Sequence, residues 1–192
     1  MKKGCLITIG VLFFIFVIAI IGAALSPDEG NDSSSTEQKE QIGNVEKKDA
    51  ETKWTYSENI DEMTEKKTFF ASLTSDNKVD FDFPYEGGSS LSINVRQSPK
   101  YGKDVYFTIS KGQFTDIFNG SISVKFDNGS IEKYSCSGAS DADTGVLFLS
   151  GNVDKFIKKL KEAKQIKVQA SFFQEGDRTF TFTTPVGLEW KH

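Results

Sequence analysis

Between Trp54 and Trp190 apolar and polar residues alternate in short runs. A period of two is the pattern of strands that bury one face and wet the other, as in antiparallel sheets. The clearest runs are Val79–Tyr85, Leu91–Arg96, Val105–Ser110, Ile122–Asp127, Ile166–Phe172 and Arg178–Thr183, with weaker ones at Thr68–Leu73, Ile131–Cys136, Val146–Leu149 and Leu188–Trp190. Asn119-Gly120 and Asn128-Gly129 bracket one of these runs, and Asn-Gly accepts the positive φ of tight hairpin turns. Gly87-Gly88, Tyr101-Gly102 and Glu175-Gly176-Asp177 punctuate the others. In Asn152–Ala163 the period changes: Val153, Phe156, Ile157 and Leu160 fall at i, i+3, i+4 and i+7, one face of a helix. Asn152 is placed to cap that helix, with Asp154 in its first turn and Lys161 and Lys164 near its end, as the helix dipole favours. The expected fold is mainly β, an antiparallel sandwich or partly closed barrel with one short helix in the C-terminal half.

The preceding residues have a different composition. No charged residue occurs in the 21 positions from Cys5 to Leu25, and about 20 apolar residues cross a bilayer core as a helix. Lys2 and Lys3 precede this run and Asp28, Glu29 and Asp32 follow it, so the positive-inside bias places the N-terminus in the cytoplasm and the remainder outside. Gly22, Ala23 and Ala24 are small enough for a signal peptidase, which leaves cleavage open, although the run exceeds the roughly 7 to 15 residues of a signal's apolar core. Residues 27–52 carry 3 Lys against 8 acids, no aromatic and few aliphatics, too little apolar surface to offset chain entropy. As a flexible coil they would reach on the order of 25 to 30 Å. The organisation expected is thus an anchor over 1–26, a polar linker over 27–52 and an exported β-rich domain over 53–192.

Charge and rare residues limit the function classes. The chain has 192 residues with net charge -4, and its 53–192 part holds 18 basic against 19 acidic residues, so the basic field that phosphate backbones require is lacking. Two cysteines and a single histidine, His192, are too few for a zinc ribbon or a disulfide framework. Cys136 lacks a base to activate it and is read as a buried small residue, while Cys5 is an apolar residue at the membrane edge or a palmitoylation target. Asp141-Ala-Asp143-Thr-Gly145 has carboxylates spaced as in a calcium loop but lacks the third carboxylate and the twelfth-position Glu, and reads as a polar loop.

Three features keep a functional alternative. Asp80 and Asp82, with Asp76 nearby, share a face of the Val79–Tyr85 run and could work as a carboxylate pair, against the plainer reading of a solvated face. Lys155, Lys158, Lys159, Lys161 and Lys164 could meet anionic lipid or polymer, or face solvent. Phe69-Phe70 and Phe172-Phe173 put adjacent rings on opposite strand faces, so one of each pair can lie outside the core. No catalytic, cofactor or metal residue is assigned, no cofactor is expected, and the binding residues are left open.

Trp54, Asp61-Glu-Met63, Tyr101-Gly102 before an aromatic strand, Phe126-Asp-Asn-Gly129, Phe156 and Leu160 with Ala163-Lys164, Phe180-Thr-Phe182 and Gly187-Leu188 form an ordered succession. It resembles a group of uncharacterised bacterial exported domains and, more distantly, the accessory proteins associated with type VI secretion. The resemblance implies a bacterial envelope protein and no catalytic residues. The function expected is a membrane-tethered, extracytoplasmic binding protein without enzymatic activity, anchored by its N-terminal helix and engaging an envelope protein. Its alternative is a carboxylate-dependent hydrolase of cell-wall or glycan substrates. Oligomeric state is left open.

Overall fold

A computed structural model describes residues 51–115 and 117–192. The expected membrane segment and most of the linker lie outside these residues. No helix among the described residues is long and apolar enough to cross a membrane. The described residues form nine strands, β1 (Thr55–Ile60), β2 (Lys67–Thr74), β3 (Leu91–Ser98), β4 (Gly102–Ile109), β5 (Gly120–Phe126), β6 (Ile131–Gly138), β7 (Val146–Leu149), β8 (Gln165–Phe172) and β9 (Gly176–Thr183), with helix α1 (Val153–Glu162) between β7 and β8. All pairings are antiparallel, in the order β1-β2-β3-β4-β7-β6-β5-β8-β9.

The alternation sets the burial. Along β3, Leu91, Ile93 and Val95 are buried; along β5, Ile122, Val124 and Phe126; along β8, Ile166, Val168, Ala170 and Phe172. The fold is mainly β and antiparallel as expected; where a sandwich or a partly closed barrel was expected, the strands form one open ladder with β1 and β9 at its edges. A ten-residue helix cannot cover nine strands, so the sheet curls over its own apolar face. Phe172 packs against Phe81, Phe114 and Phe180 at ring distances of 5.0, 4.9 and 5.8 Å. The segment after β2 reaches the outer edge of β9: Asp76 N–H donates to Thr181 O (2.8 Å), and Thr181 N–H and Thr183 N–H donate to Asn77 Oδ1 and Asp76 Oδ2 (both 2.7 Å).

Helix α1 lays Phe156, Ile157 and Leu160 on the sheet, as its period requires. Phe156 meets Phe107, Phe126 and Tyr134 edge to face, with ring centroids 6.0, 5.4 and 4.9 Å away. Asn152 does not cap as expected: it adopts a left-handed backbone, and its side chain makes no cap hydrogen bond. Glu132 of β6 ties the helix to the sheet, accepting hydrogen bonds from Lys159 Nζ (2.5 Å) and the Tyr134 hydroxyl (2.9 Å). The Lys159 ammonium outweighs the cost of burial and holds the Glu132 carboxyl below its usual 4.5. A depressed folded-state value stabilises the fold above the unfolded pKa, and that contribution is lost as pH falls through the folded value. Glu132→Gln is therefore expected to lower the urea midpoint at pH 7 and to lie closer to the parent at pH 3. An equal gap at both pH values would mean that the Glu132 charge does not hold the helix.

Three local expectations are corrected. Val79–Tyr85 is not a strand: Val79 makes an isolated bridge to Ser89, and Phe81 turns inward while Phe83 stays exposed in a loop. Leu188–Trp190 buries Leu188 and Trp190 but joins no ladder, and forms part of a C-terminal strap. Asn119 ends the β4–β5 connection and Gly120 opens β5, and since β4 and β5 are not paired the two make no hairpin turn. Asn128-Gly129 does lie between β5 and β6, but the positive φ there belongs to Asp127 (48°), whose carboxylate accepts the Lys164 and Gln165 N–H groups. β1 has no counterpart among the expected strands.

Candidate functional site: an open sheet edge beside an aromatic cleft

The two edges of the sheet differ. β9 is covered where Asp76 and Asn77 occupy its outer hydrogen-bonding groups. β1 pairs only with β2, and among the described residues its outer edge has no backbone partner. All six β1 residues are exposed. Such an edge presents a row of free N–H and C=O groups to any extended chain.

Beside β1 lies a cleft of about 460 Å³ formed by the β1–β2 hairpin and the C-terminal strap. Tyr56, Phe69, Trp190 and His192 supply its rings, with Phe70 beside Phe69 on the opposite face of β2, and Glu58, Glu189 and Lys191 supply its charges. Phe69 stacks on His192 with centroids 3.7 Å apart, and Trp190 meets His192 edge-on at 5.3 Å. The Tyr56 hydroxyl accepts the Glu189 N–H at 2.9 Å, while Glu58 pairs with Lys67 at 3.0 Å. The strap is held to α1 by Leu188 N–H donating to Leu160 O (3.0 Å) and Lys161 Nζ donating to Trp190 O (2.6 Å). The Trp190 indole N–H is buried with no acceptor among the described residues, and an unpaired buried donor costs about 1–3 kcal/mol.

The residues singled out in the sequence disperse. Asp80 and Asp82 are exposed on a loop, not side by side on a strand face, and Asp76 is engaged with Lys53 (2.8 Å) and Thr183. The hydrogen bonds from Lys53 and Thr183 outweigh the upward pull of burial and lower the Asp76 pKa. Asp141 and Asp143 accept N–H groups of their own loop, from Asp143 and Gly145. No group of three or more His, Cys, Asp or Glu that could hold a metal occurs among the described residues. Cys136 is buried, which pushes its thiol up to about 12, beyond use as a thiolate nucleophile.

The basic helix face is largely taken up within the protein. Lys155 and Lys159 face Glu132, and Lys161 and Lys164 donate to the Trp190 and Pro185 carbonyls. Lys158 stays exposed, outside these contacts. The aromatic pairs divide: Phe172 is buried and Phe173 exposed, and of the half-buried Phe69 and Phe70 only Phe69 packs against the core, stacked on His192 in the cleft. The sequence marked Phe69-Phe70 as reaching outside the core. It marked Leu188–Trp190 as a further strand and carried no sign that this segment lies beside β1 and β2, some 120 residues away along the chain.

No family model matches the sequence, and no curated protein is similar to it. A solved structure similar to this chain is invasion associated protein B from Bartonella henselae, at 14% identity and a TM-score of 0.41, covering 71% of this chain and 85% of that one.

Proposed function

We propose that this chain is a membrane-tethered, extracytoplasmic binding protein of the bacterial envelope, without enzymatic activity, that takes an extended segment of an envelope protein as a further strand beside β1. The uncharged run from Cys5 to Leu25 supplies the tether and residues 27–52 the spacer. The observation that carries the reading is the contrast between the edges: β9 is covered over residues 179–183, and among the described residues β1 has no backbone partner on its outer edge, beside a cleft lined by the rings of Tyr56, Phe69, Trp190 and His192. In strand addition the backbone supplies affinity and pockets for alternate side chains supply selectivity. The curled sheet in this reading is a partly closed barrel, with Asp76 and Asn77 at its seam. The hydrolase alternative has lost the strand-borne Asp80 and Asp82 pair on which it rested.

A photocrosslinking residue at Ser57, in the full chain in its native membrane, tests the edge. One reproducible protein adduct is expected from position 57 and none from Lys167, an exposed position on β8. Equal labelling from both positions, or none from position 57, would overturn strand capture at β1.

A further inference from the structure

Of the 14 Phe residues from Trp54 onward, three are more than half exposed, and all three stand on connections at one end of the sheet. Phe83 (84% exposed) lies between β2 and β3, Phe118 (83%) between β4 and β5, and Phe173 (56%) between β8 and β9. The topology gathers these connections: β2, β4, β6 and β8 finish at this end, and β3, β5, β7 and β9 begin there.

Hydrogen bonds then fix the connections to one another. Asp82 N–H donates to Glu175 Oε1 (2.7 Å), Phe173 N–H to Gln113 O (2.8 Å), Thr115 N–H to Ser171 O (3.0 Å) and Gln113 Nε2 to the Tyr85 hydroxyl (2.9 Å). Phe83 and Phe173 line one groove of about 250 Å³ on this surface. Rings left in water on loops that are themselves anchored form a prepared apolar contact.

The charge around the rings selects the occupant. The described residues of the four connections at this end, 75–90, 110–115, 117–119, 139–145 and 173–175, hold seven acids and two lysines, and two of the acids, Asp76 and Glu175, are paired with Lys53 and Arg178. Asp80, Asp82 and Glu86 are exposed and outside the ion pairs, and Lys111 is turned onto the Glu86 carbonyl at 2.6 Å. An anionic lipid surface would be repelled by this rim, and a second copy would bring like charges together. A basic chain with apolar side chains is attracted by the rim and covered by the rings.

We infer that this end of the sheet is a second docking surface, distinct from the β1 edge, whose partner is a cationic amphipathic segment of another protein. Phe83 and Phe173 are its apolar anchors, and Asp80, Asp82 and Glu86 set the charge.

The full chain in zwitterionic nanodiscs is titrated with a fluorescent Lys/Leu helical peptide and with its Glu/Leu counterpart, empty nanodiscs serving as blank. The Lys/Leu peptide is expected to bind with an affinity that falls with added salt, and the Glu/Leu peptide not to bind. Phe83→Ser and Phe173→Ser should each weaken binding roughly tenfold, as loss of a central anchor does. Asp82→Asn with Glu86→Gln should flatten the salt dependence. All these positions are exposed, and an unchanged urea midpoint for each variant excludes misfolding. Binding that survives both Phe variants, equal binding of the two peptides, preference for phosphatidylglycerol vesicles over the peptide, or self-association through these rings would each overturn the inference.

Discussion

Replacing Phe156 by Ala is expected to lower the unfolding free energy by about 3–5 kcal/mol, the range for removing a fully buried Phe. Phe156 is 0% exposed and is shared by three other rings, Phe107 on β4, Phe126 on β5 and Tyr134 on β6. Those strands belong to both halves of the ladder, since β7 separates β4 from β6 in the sheet order. The cavity therefore opens where the helix joins the two halves, and the ring faces around it lose partners together. Against a total stability of roughly 5–15 kcal/mol, such a loss removes about a fifth or more of the margin. Phe83→Ala, at an exposed ring, should change stability by about 0.5 kcal/mol or less. Urea denaturation followed by far-UV circular dichroism reads both. A loss under about 1 kcal/mol at Phe156 would mean that α1 is not seated on β4, β5 and β6.

The sequence revealed strands wherever one face is dry and the other wet. β3, β5, β8 and β9 bury alternate residues, so the period of two in Leu91–Arg96, Ile122–Asp127, Ile166–Phe172 and Arg178–Thr183 is a record of their burial. The same period misleads at Val79–Tyr85. There Phe81 is drawn into the core against Phe172 while Phe83 remains outside, so a loop with one inward ring imitates a strand. β1 is the opposite case: with all six residues exposed, burial imposes no pattern on Thr55–Ile60. Backbone pairing to β2 makes it a strand, and pairing leaves no trace in side-chain polarity.

The site was legible in part for the same reason. Phe69-Phe70 announced a ring outside the core because adjacent strand residues cannot both face inward. The opposite wall depends on where the strap lies, which is set by contacts with Leu160 and Lys161 that no local spacing encodes. The expected antiparallel β fold with one short helix is present, but the choice between a sandwich and a partly closed barrel turns on strand order, which the sequence left open. Inserting β7 between β4 and β6 joins what would have been two sheets into one ladder, a long-range choice invisible to a period of two.

The strap makes Gly187 the position where stability and the cleft can be perturbed together. A Cβ at residue 187 would collide with the Lys161 carbonyl oxygen and lie 2.7 Å from its carbon, with Leu160 O at 3.3 Å. These are backbone atoms at the C-terminal end of α1, so the strap has to lift rather than a side chain turn aside. Lifting it breaks the Leu188 N–H bond to Leu160 O and the Lys161 bond to Trp190 O, and pulls Leu188 and Trp190 from burial. Gly187→Ala is expected to cost about 3 kcal/mol, the upper part of the range for overpacking. Gly145→Ala is the control, because its Cβ would meet only the Asp143 carboxylate within 3.4 Å, and should cost about 1 kcal/mol or less. Tryptophan fluorescence should report Trp190 moving into water in Gly187→Ala and not in Gly145→Ala. The Ser57 crosslink separates the two parts of the β1 site in the same variant. If the free edge alone captures the partner the adduct persists, and if the rings of the strap are needed it disappears although β1 remains paired with β2. A Gly187→Ala protein with the parent's urea midpoint and fluorescence would show that the strap is not clamped on Lys161, and the cleft would then lose its second wall as a fixed feature.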